Sequence, residues 1–419
     1  MSALVPSIVT TLGEILGPAH VSTVEADRRR CGALAPSIVC WPTSAPEVAQ
    51  VLKLAATRSL TVAVVGAGTR SASFTAPEDG RLRVALCTQR MSNILKLDES
   101  SLTVHCQAGL LASHLEESLA RHGLSLGPLA APLGPSTVGG ALAGPHTENL
   151  GSATHALGEA CLGLSVARPD GSVIHTRVAP RRATGPDLQR LYLGSWGALG
   201  VITTAVLRAH RLPESSATVA HLYPSVAAAA RASRELLALG VRPRRVRIVN
   251  QTRAAEELDP RHYAMPAAAL TLLEGPALLL RAELEALETS SHAHGGTELP
   301  KDLSQRWHAH LATRVDPGSG ASYRVRHSQL PAALALLEGS APRPFALDGL
   351  ELHALTLWLP GDDPAPDGTA VDRDLCSLGS VRLRPALPEA VRPFRALQDP
   401  DGALAQLVPM AAHRGARHA

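Results

Sequence analysis

The chain has 419 residues, more than one hydrophobic core usually holds, and its 45% hydrophobic content excludes a largely disordered protein. Forty basic against 37 acidic residues leave a net charge of +3, and without a long basic run this argues against a nucleic-acid binder. Aromatics are only 3%, so Leu, Val and Ala must fill the cores of what we expect to be two folding units.

The first element is the segment around Leu12 and Glu14, which lacks the basic start and long apolar run of a signal peptide and reads as an amphipathic helix. No run of 18 apolar residues occurs, so no membrane span is expected and a cytoplasmic location is. Ile38 to Trp41 reads as a strand ended by Pro42. Ser44 and Glu47 then form a capping box, and Val48, Val51, Leu52 and Ala55 predict an amphipathic helix over Ala45 to Thr57. A strand, Thr61 to Val65, completes a β-α-β unit and runs into Gly66-Ala67-Gly68-Thr69.

A second α+β layer follows. Leu102 to Cys106 reads as a strand, and Leu111, Leu115 and Leu119 mark a helix that Gly123 can cap. The Pro/Gly-rich stretch Pro132 to Gly144 is expected to hold no regular element. Leu162 to Ala167 and Val173 to Thr176 flank a Pro169-Asp170-Gly171 turn as a hairpin, and Gly194 to Gly200 leads into a strand from Val201 to Leu207. From about Pro213, Ala-rich helices (Val226 to Leu239, Leu279 to Thr289, Leu330 to Leu337) alternate with short strands such as Val246 to Val249, a second domain. Gly361 to Thr369 reads as a loop and His413 to Ala419 as a disordered tail. The six cysteines, Cys31, Cys40, Cys87, Cys106, Cys161 and Cys376, show no CxxC spacing and read as reduced packing residues, with no structural zinc.

Three glycine-rich turns carry the chemistry. Gly66 to Ser71 follows a strand, as a phosphate-binding turn does, because glycines let backbone N–H groups approach an anion. It matches neither a nicotinamide fingerprint nor a Walker loop, since Ser71 stands at the sixth position and no Gly-Lys-Ser/Thr follows. Pro135-Ser136-Thr137-Val138-Gly139-Gly140 offers hydroxyls and a Gly-Gly pair that could wrap a flat ring or a diphosphate, or form a surface loop. Gly194 to Ile202 has three glycines before a strand, which alone would be a turn with a bulge.

In their order, these turns, the strand and helix before them, and the TVGG, GPDL (Gly185 to Leu188) and GVIT segments resemble the FAD-linked oxidases of the vanillyl-alcohol oxidase family. The resemblance covers about Ala35 to Pro213, and Leu397 to Gly402 is similar to the family's late DPxG turn. It implies an α+β fold with a two-part PCMH-type FAD-binding domain and a smaller α+β cap domain. The implied organisation is an N-terminal helical segment 1–34, the FAD-binding domain 35–213, a substrate or cap domain 214–385, and a C-terminal return to the FAD domain at 386–412, before the tail 413–419. Val64, Val65, Gly66, Ala67, Gly68, Thr69 and Arg70 would hold the FAD diphosphate. Pro132, Ser136, Thr137, Gly139, Gly140, Gly144 and Thr147 would line the flavin and ribityl chain. Trp196, Gly197, Leu199, Gly200, Val201 and Ile202 would contact the cofactor from the other side. Some members attach FAD through a histidine in the first loop; Thr69 stands there, so the resemblance implies non-covalent FAD.

This chain departs from the pattern at Trp196, where the family has Glu, at His155 in place of a small glycine, and at Ala67, a mild change. The nearest branches are the FAD subunit of glycolate and D-lactate dehydrogenases, which implies oxidation of a small 2-hydroxy acid by hydride transfer to flavin N5, and alkylglycerone-phosphate synthase. A degenerate FAD-binding subunit of a hetero-oligomer, with an iron–sulfur partner for electrons, is the reading from another class. Such catalysis needs an arginine clamp and a base. Arg244, Arg245, Arg247 and Arg253, with His308, His310, His327 and His353, are the inventory, but solvated arginines and surface histidines would look the same, so no catalytic residue is assigned. Alternation puts Arg247 opposite Val246 and Ile248, as an inward clamp or an outward solvated residue.

Overall fold

Ile8, Leu12 and Leu16 recur every fourth residue, and they are the buried side of helix α1 (Leu4–Leu16). The computed structural model describes the chain except residues 1–3, 32–33, 70–73, 76–79, 128–135, 145–156, 180–186, 259–265, 314–320, 339–343, 349–353, 360–374, 376, 379–380, 384–398, 400–402, 405–407 and 410–419. Two compact units emerge, one of Met1–His146, Leu157–Arg211 and Pro385–Ala419, the other mainly Leu212–Arg384. Gly361 to Thr369 and the tail from His413 lie outside the described residues.

Among the described residues the first unit holds two larger sheets and two short two-stranded ones. Strand β1 (Ile38–Cys40), helix α2 (Ala45–Thr57), strand β2 (Thr61–Val65) and strand β3 (Arg83–Cys87) build the first. Both β1 and β2 run parallel to β3, which lies between them, and Val21–Ser22 adds the edge. Their alternating residues split between two cores: Ile38, Val62, Val84 and Leu86 face α1 and α2, while Val39, Ala63, Val65 and Cys87 pack with Cys31 and Leu34. Ser44 caps α2 by accepting the Glu47 N–H at 3.4 Å. The expected reciprocal bond moves one residue upstream: Glu47 accepts the Thr43 N–H at 2.8 Å and the Ser44 hydroxyl at 2.9 Å. Further along the chain, Val62 donates its N–H to the Ala403 carbonyl at 2.6 Å, and Asp399 accepts the N–H groups of Ala403 and Leu404 at 2.7 and 3.0 Å.

The second sheet combines β4 (Ile94–Asp98), β5 (Thr103–Gln107), β6 (Cys161–Ala167), β7 (Val173–His175) and β8 (Val201–Arg208), in the spatial order β7-β6-β8-β5-β4 and antiparallel throughout. Helices α3 (Ala112–Ala120) and α4 (Val138–Ala143) close its core with Leu115, Leu119, Val138 and Leu142. Helix α4 corrects the expectation that Pro132 to Gly144 holds no regular element. Thr137 caps it by accepting the Gly140 N–H at 3.1 Å, and Val138, Ala141 and Leu142 are buried. Burial and capping here outweigh the poor helix propensity of two glycines.

The second unit is built on one antiparallel eight-stranded sheet. In chain order its elements are β9 (Ser215–Tyr223), α5 (Val226–Ala238), β10 (Arg245–Asn250), α6 (Gln251–Glu257), β11 (Ala267–Gly275), α7 (Ala277–Ala293), α8 (Lys301–Thr313), β12 (Ala321–Arg326), α9 (Leu330–Glu338), β13 (Ala346–Asp348), β14 (Ala354–Leu359) and β15 (Val381–Leu383). The spatial order runs from Thr297–Glu298 through β9-β11-β10-β13-β14-β12 to β15. Strand β11, with its run of alanines and leucines, is an interior strand buried from Ala267 to Leu273, so its composition reflects burial on both faces rather than helix preference. No helix among the described residues is long and apolar enough to cross a membrane, and no group of three His, Cys, Asp or Glu there could hold a metal.

His221 sits buried on β9 with its ring 6.1 Å from that of Tyr223, and among the described residues its Nε2 has no hydrogen-bond partner. Burial, with a contribution from His292, pushes its pKa down from 6.5 to about 4. The unfolded chain therefore binds the extra proton between those values, so stability falls as pH drops from about 6.5 towards 4. His221→Gln is expected to flatten this part of the profile. The check is the urea midpoint of both proteins at pH 7 and pH 4.5; parallel losses would remove His221 as the cause.

Candidate functional site

At the end of β2 the chain turns through Gly66, Ala67, Gly68 and Thr69, with Gly68 at φ +76°. A Cβ on Gly66 would stand 2.3 Å from Thr137 Oγ1, so the first loop touches the cap of α4 only because this residue is glycine. Thr69 Oγ1 lies 3.5 Å from Ser136 Oγ, a second tie between the same loops. The other end of α4 meets the third loop: Gly194 donates its N–H to the Leu142 carbonyl at 3.0 Å, and Trp196 donates to Ala143 at 2.8 Å. Trp196 adopts φ +56°, a left-handed conformation unusual for a side chain of this size.

Between these loops lies a cleft enclosing about 840 Å³ of space, part of it open to solvent. Its walls are Val64, Val65, Gly66, Ala67, Gly68 and Thr69 from the first loop, Ser136, Thr137, Gly139, Gly140 and Gly144 around α4, and Trp196, Gly197, Gly200, Val201 and Ile202 from the third. Sixteen of the twenty residues nominated from the sequence are thereby brought together. Leu199 is placed elsewhere, fully buried in the core of the antiparallel sheet; Arg70, Pro132 and Thr147 lie outside the described residues.

Three wall residues were not read from the sequence: Leu34, Thr88 and Ala143. Ala143 sits one residue before the nominated Gly144, but Leu34 and Thr88 carry no local motif. Gly109 holds Thr88 in place, for a Cβ there would stand 1.7 Å from the Thr88 carbonyl oxygen. No charged side chain lines the cleft among the described residues. The chemistry on offer is a mostly apolar slot with hydroxyls and glycine backbone at one side, which suits a flat ring system joined to a polar chain.

Among the arginines and histidines of the second unit, His310 is exposed, as a surface histidine would be, while Arg247 is turned inward without being a free clamp. Arg247 is fully buried and not solvated, and its fork is already engaged. It binds Glu257 through Nε at 3.0 Å and through Nη2, and Nη1 reaches Asp348 at 2.6 Å. Arg253 Nε donates to Glu257 at 2.7 Å and the Trp307 indole donates at 2.9 Å. Burial alone would raise Glu257, but Arg247, Arg253 and the Trp307 bond overcome it and hold its pKa near about 2. Asp348 goes the other way, raised by burial to about 6 despite Arg247 and Arg245. Arg244 pairs with Glu274 at 3.3 Å, and half-buried His308 has its pKa lowered by burial and by Arg245. Arg245 is buried as well, and His353 lies outside the described residues. The alternation of β10 marked Arg247 as special, but only the tertiary structure shows carboxylates from α6 and β13 meeting it.

The first unit's fold and cleft define a nucleotide-cofactor domain, and comparison with known proteins says which. Residues 36–177 match the family model of an FAD binding domain. The chain is 26% identical over 259 residues to the glycolate oxidase subunit GlcD of Bacillus subtilis, covering 60% of this chain and 54% of that protein. It is also 26% identical over 208 residues to the mitochondrial D-lactate dehydrogenase [cytochrome] 1 of Saccharomyces cerevisiae, covering 49% of this chain and 35% of the relative. The chain thus spans roughly a third to a half of the length of these relatives. A solved alkyldihydroxyacetonephosphate synthase shares the fold, with a TM-score of 0.77, 17% identity, and coverage of 95% of this chain and 84% of that one. Residues 36–177 are thus similar to an FAD binding domain, whose cofactor is FAD, and the chain shares its fold with the solved synthase.

Removing the centre of the Arg247 network should be costly, because it strands carboxylates away from water. Arg247→Met is expected to lower stability by about 3–5 kcal/mol. The readout is the urea midpoint at neutral pH; a midpoint unchanged from the parent would mean the network is energetically idle.

Proposed function

We propose that this chain is an FAD-dependent oxidoreductase that oxidises the hydroxyl-bearing carbon of a small 2-hydroxy acid, with FAD held non-covalently in the cleft of the first unit. The observation that carries the reading is the convergence of three glycine-rich loops on one cleft, the first two of them inside the region that matches the FAD binding domain. The substrate class is supported by the names of the glycolate- and lactate-oxidising relatives.

In this reading the backbone of Val64 to Thr69, continuing to Arg70, holds the diphosphate. Ser136, Thr137, Gly139, Gly140 and Gly144 line the ribityl chain and ring, and Trp196, Gly197 and Gly200 to Ile202 take the other side. Glycine at 66 and 139 lets the segments that line the cleft pack against one another, while Val64, Val65, Leu34 and Ile202 exclude water. When bound, FAD supplies the two-electron acceptor for a hydride from the substrate carbon. Thr69 in place of a linking histidine supports non-covalent attachment. Because one relative is named as a subunit, electrons leaving the cofactor are proposed to pass to a partner polypeptide, an iron–sulfur protein in the simplest case.

The deciding experiment is the absorbance spectrum of the purified protein, followed by anaerobic addition of a panel of 2-hydroxy acids. A flavin spectrum bleached by one of them is the expected result. A yellow protein bleached by none would favour alkyl transfer of the synthase type or a subunit without turnover of its own. Flavin that stays with acid-precipitated protein would overturn non-covalent binding.

The loop geometry makes a sharper prediction. In Gly66→Ala the new Cβ pushes on Thr137 Oγ1 and breaks the cap of α4, so FAD affinity should fall by about tenfold or more. Fluorescence titration of the apoprotein measures it, and wild-type affinity in this variant would show that the two loops need not touch.

A further inference from the structure

Two buried thiols stand beside the cleft and take no part in the reading above. Cys87 ends β3 on the sheet face it shares with Val39, Ala63, Val65 and Ala85, and Cys31 comes down on that face from the turn after residues 25–29. Both are buried, at 1% and 5% exposure, and they share one small core cluster, with the Cys31 thiol donating to the Asp27 carbonyl at 3.9 Å. Interaction between the two thiols lowers the Cys31 pKa and, with burial, raises that of Cys87. Cys40 belongs to the opposite face of the sheet, with Ile38 and Val62, and Cys106 and Cys161 lie in the core of the other sheet.

Each thiol is one short step from the cleft wall. Leu34 donates its N–H to the Cys31 carbonyl at 3.3 Å and lines the cleft; Thr88 follows Cys87 directly and lines it too. Thr88 is further fixed, its hydroxyl donating to the Val65 carbonyl at 3.5 Å. A bond between the two sulfurs would therefore join two segments of one wall.

We propose that Cys31 and Cys87 form a reversible redox pair, oxidised by hydrogen peroxide to a disulfide that clamps the Leu34–Thr88 wall of the cleft. The Cys31 sulfur attacks one peroxide oxygen, the O–O bond breaks, and the departing oxygen leaves as water with a thiol proton. Cys31 is then a sulfenic acid. The Cys87 sulfur displaces its oxygen as a second water, forming the S–S bond. Two thiols and one peroxide thus give one disulfide and two waters. The burial of both sulfurs selects for an oxidant as small as peroxide. The clamp rests on the FAD reading; the cross-link does not.

The test treats the FAD-loaded protein with hydrogen peroxide, alkylates remaining thiols under denaturing conditions and maps the peptides. The expected result is a Cys31–Cys87 linked peptide, lost on reduction with dithiothreitol, with Cys40, Cys106 and Cys161 still alkylated. Cys31 and Cys87 recovered as separate alkylated or sulfinic peptides, or linked to other cysteines, would overturn the pair. FAD release is then compared between the two forms, and the disulfide form should release it more slowly by about threefold or more. Equal rates would overturn the clamp. In Cys87→Ser, peroxide should leave Cys31 as a sulfenic acid trapped by dimedone; if that variant does not fold, Cys31→Ser serves, and its FAD release should not respond to peroxide. A protein that cross-links as described but takes up no FAD in either form would fail the FAD reading and leave the redox pair standing.

Discussion

Helix α4 has six residues and two glycines, so little in its own sequence would keep it folded. Its ends are satisfied by other parts of the chain. Val138 and Gly139 donate their N–H groups to the carbonyls of Leu110 and Ala108 at 2.8 and 2.7 Å, and the third loop donates to Leu142 and Ala143 at the far end. The glycines that weaken the helix permit this docking: a Cβ on Gly139 would stand 2.8 Å from the Ala108 Cβ. The cleft forms where the first loop packs on the cap of this one short helix and the third loop is bonded to its far end.

The strain at Trp196 follows from the same docking. Its N–H is committed to Ala143 and its neighbour Gly197 packs against Val64, where a Cβ would meet the valine at 3.3 Å. Holding a tryptophan at positive φ costs about 1–2 kcal/mol, and two neighbouring backbone bonds and the packed loop offset it. A local conformational cost is tolerated where the surrounding contacts leave no cheaper path.

The second unit uses charge where the first uses close backbone approach. Glu257 and Asp348 share Arg247, yet burial and partners drive their pKa values to about 2 and about 6. Glu257 accepts from Arg247, Arg253 and Trp307, so its charge is met on several sides, whereas Asp348 is hydrogen-bonded to Arg247 through one oxygen. Unequal solvation of two carboxylates around one guanidinium ties α6, α8 and β13 to β10 through directional bonds.

Local signals in the sequence determined much of this. The capped helix Ala45–Thr57, the strand Thr61–Val65, the hairpin around Gly171 and the glycine loops depend on periodicity, caps and φ preferences that a few adjacent residues carry. The order of those loops, through its resemblance to the FAD-linked oxidases, also marked most of the cleft wall. What local residues cannot encode was left to the tertiary structure. A Val-Gly-Gly-Ala helix forms because distant carbonyls and N–H groups meet its ends, and Leu34 and Thr88 reach the cleft only through sheet pairing and the fit of Gly109. Arg247 could be read as outward or inward from alternation, since a strand has two faces and the sequence does not say which is covered. Helices α6 and α8 and strand β13 cover it, and the carboxylates of α6 and β13 turn a possible clamp into the centre of a buried ion network.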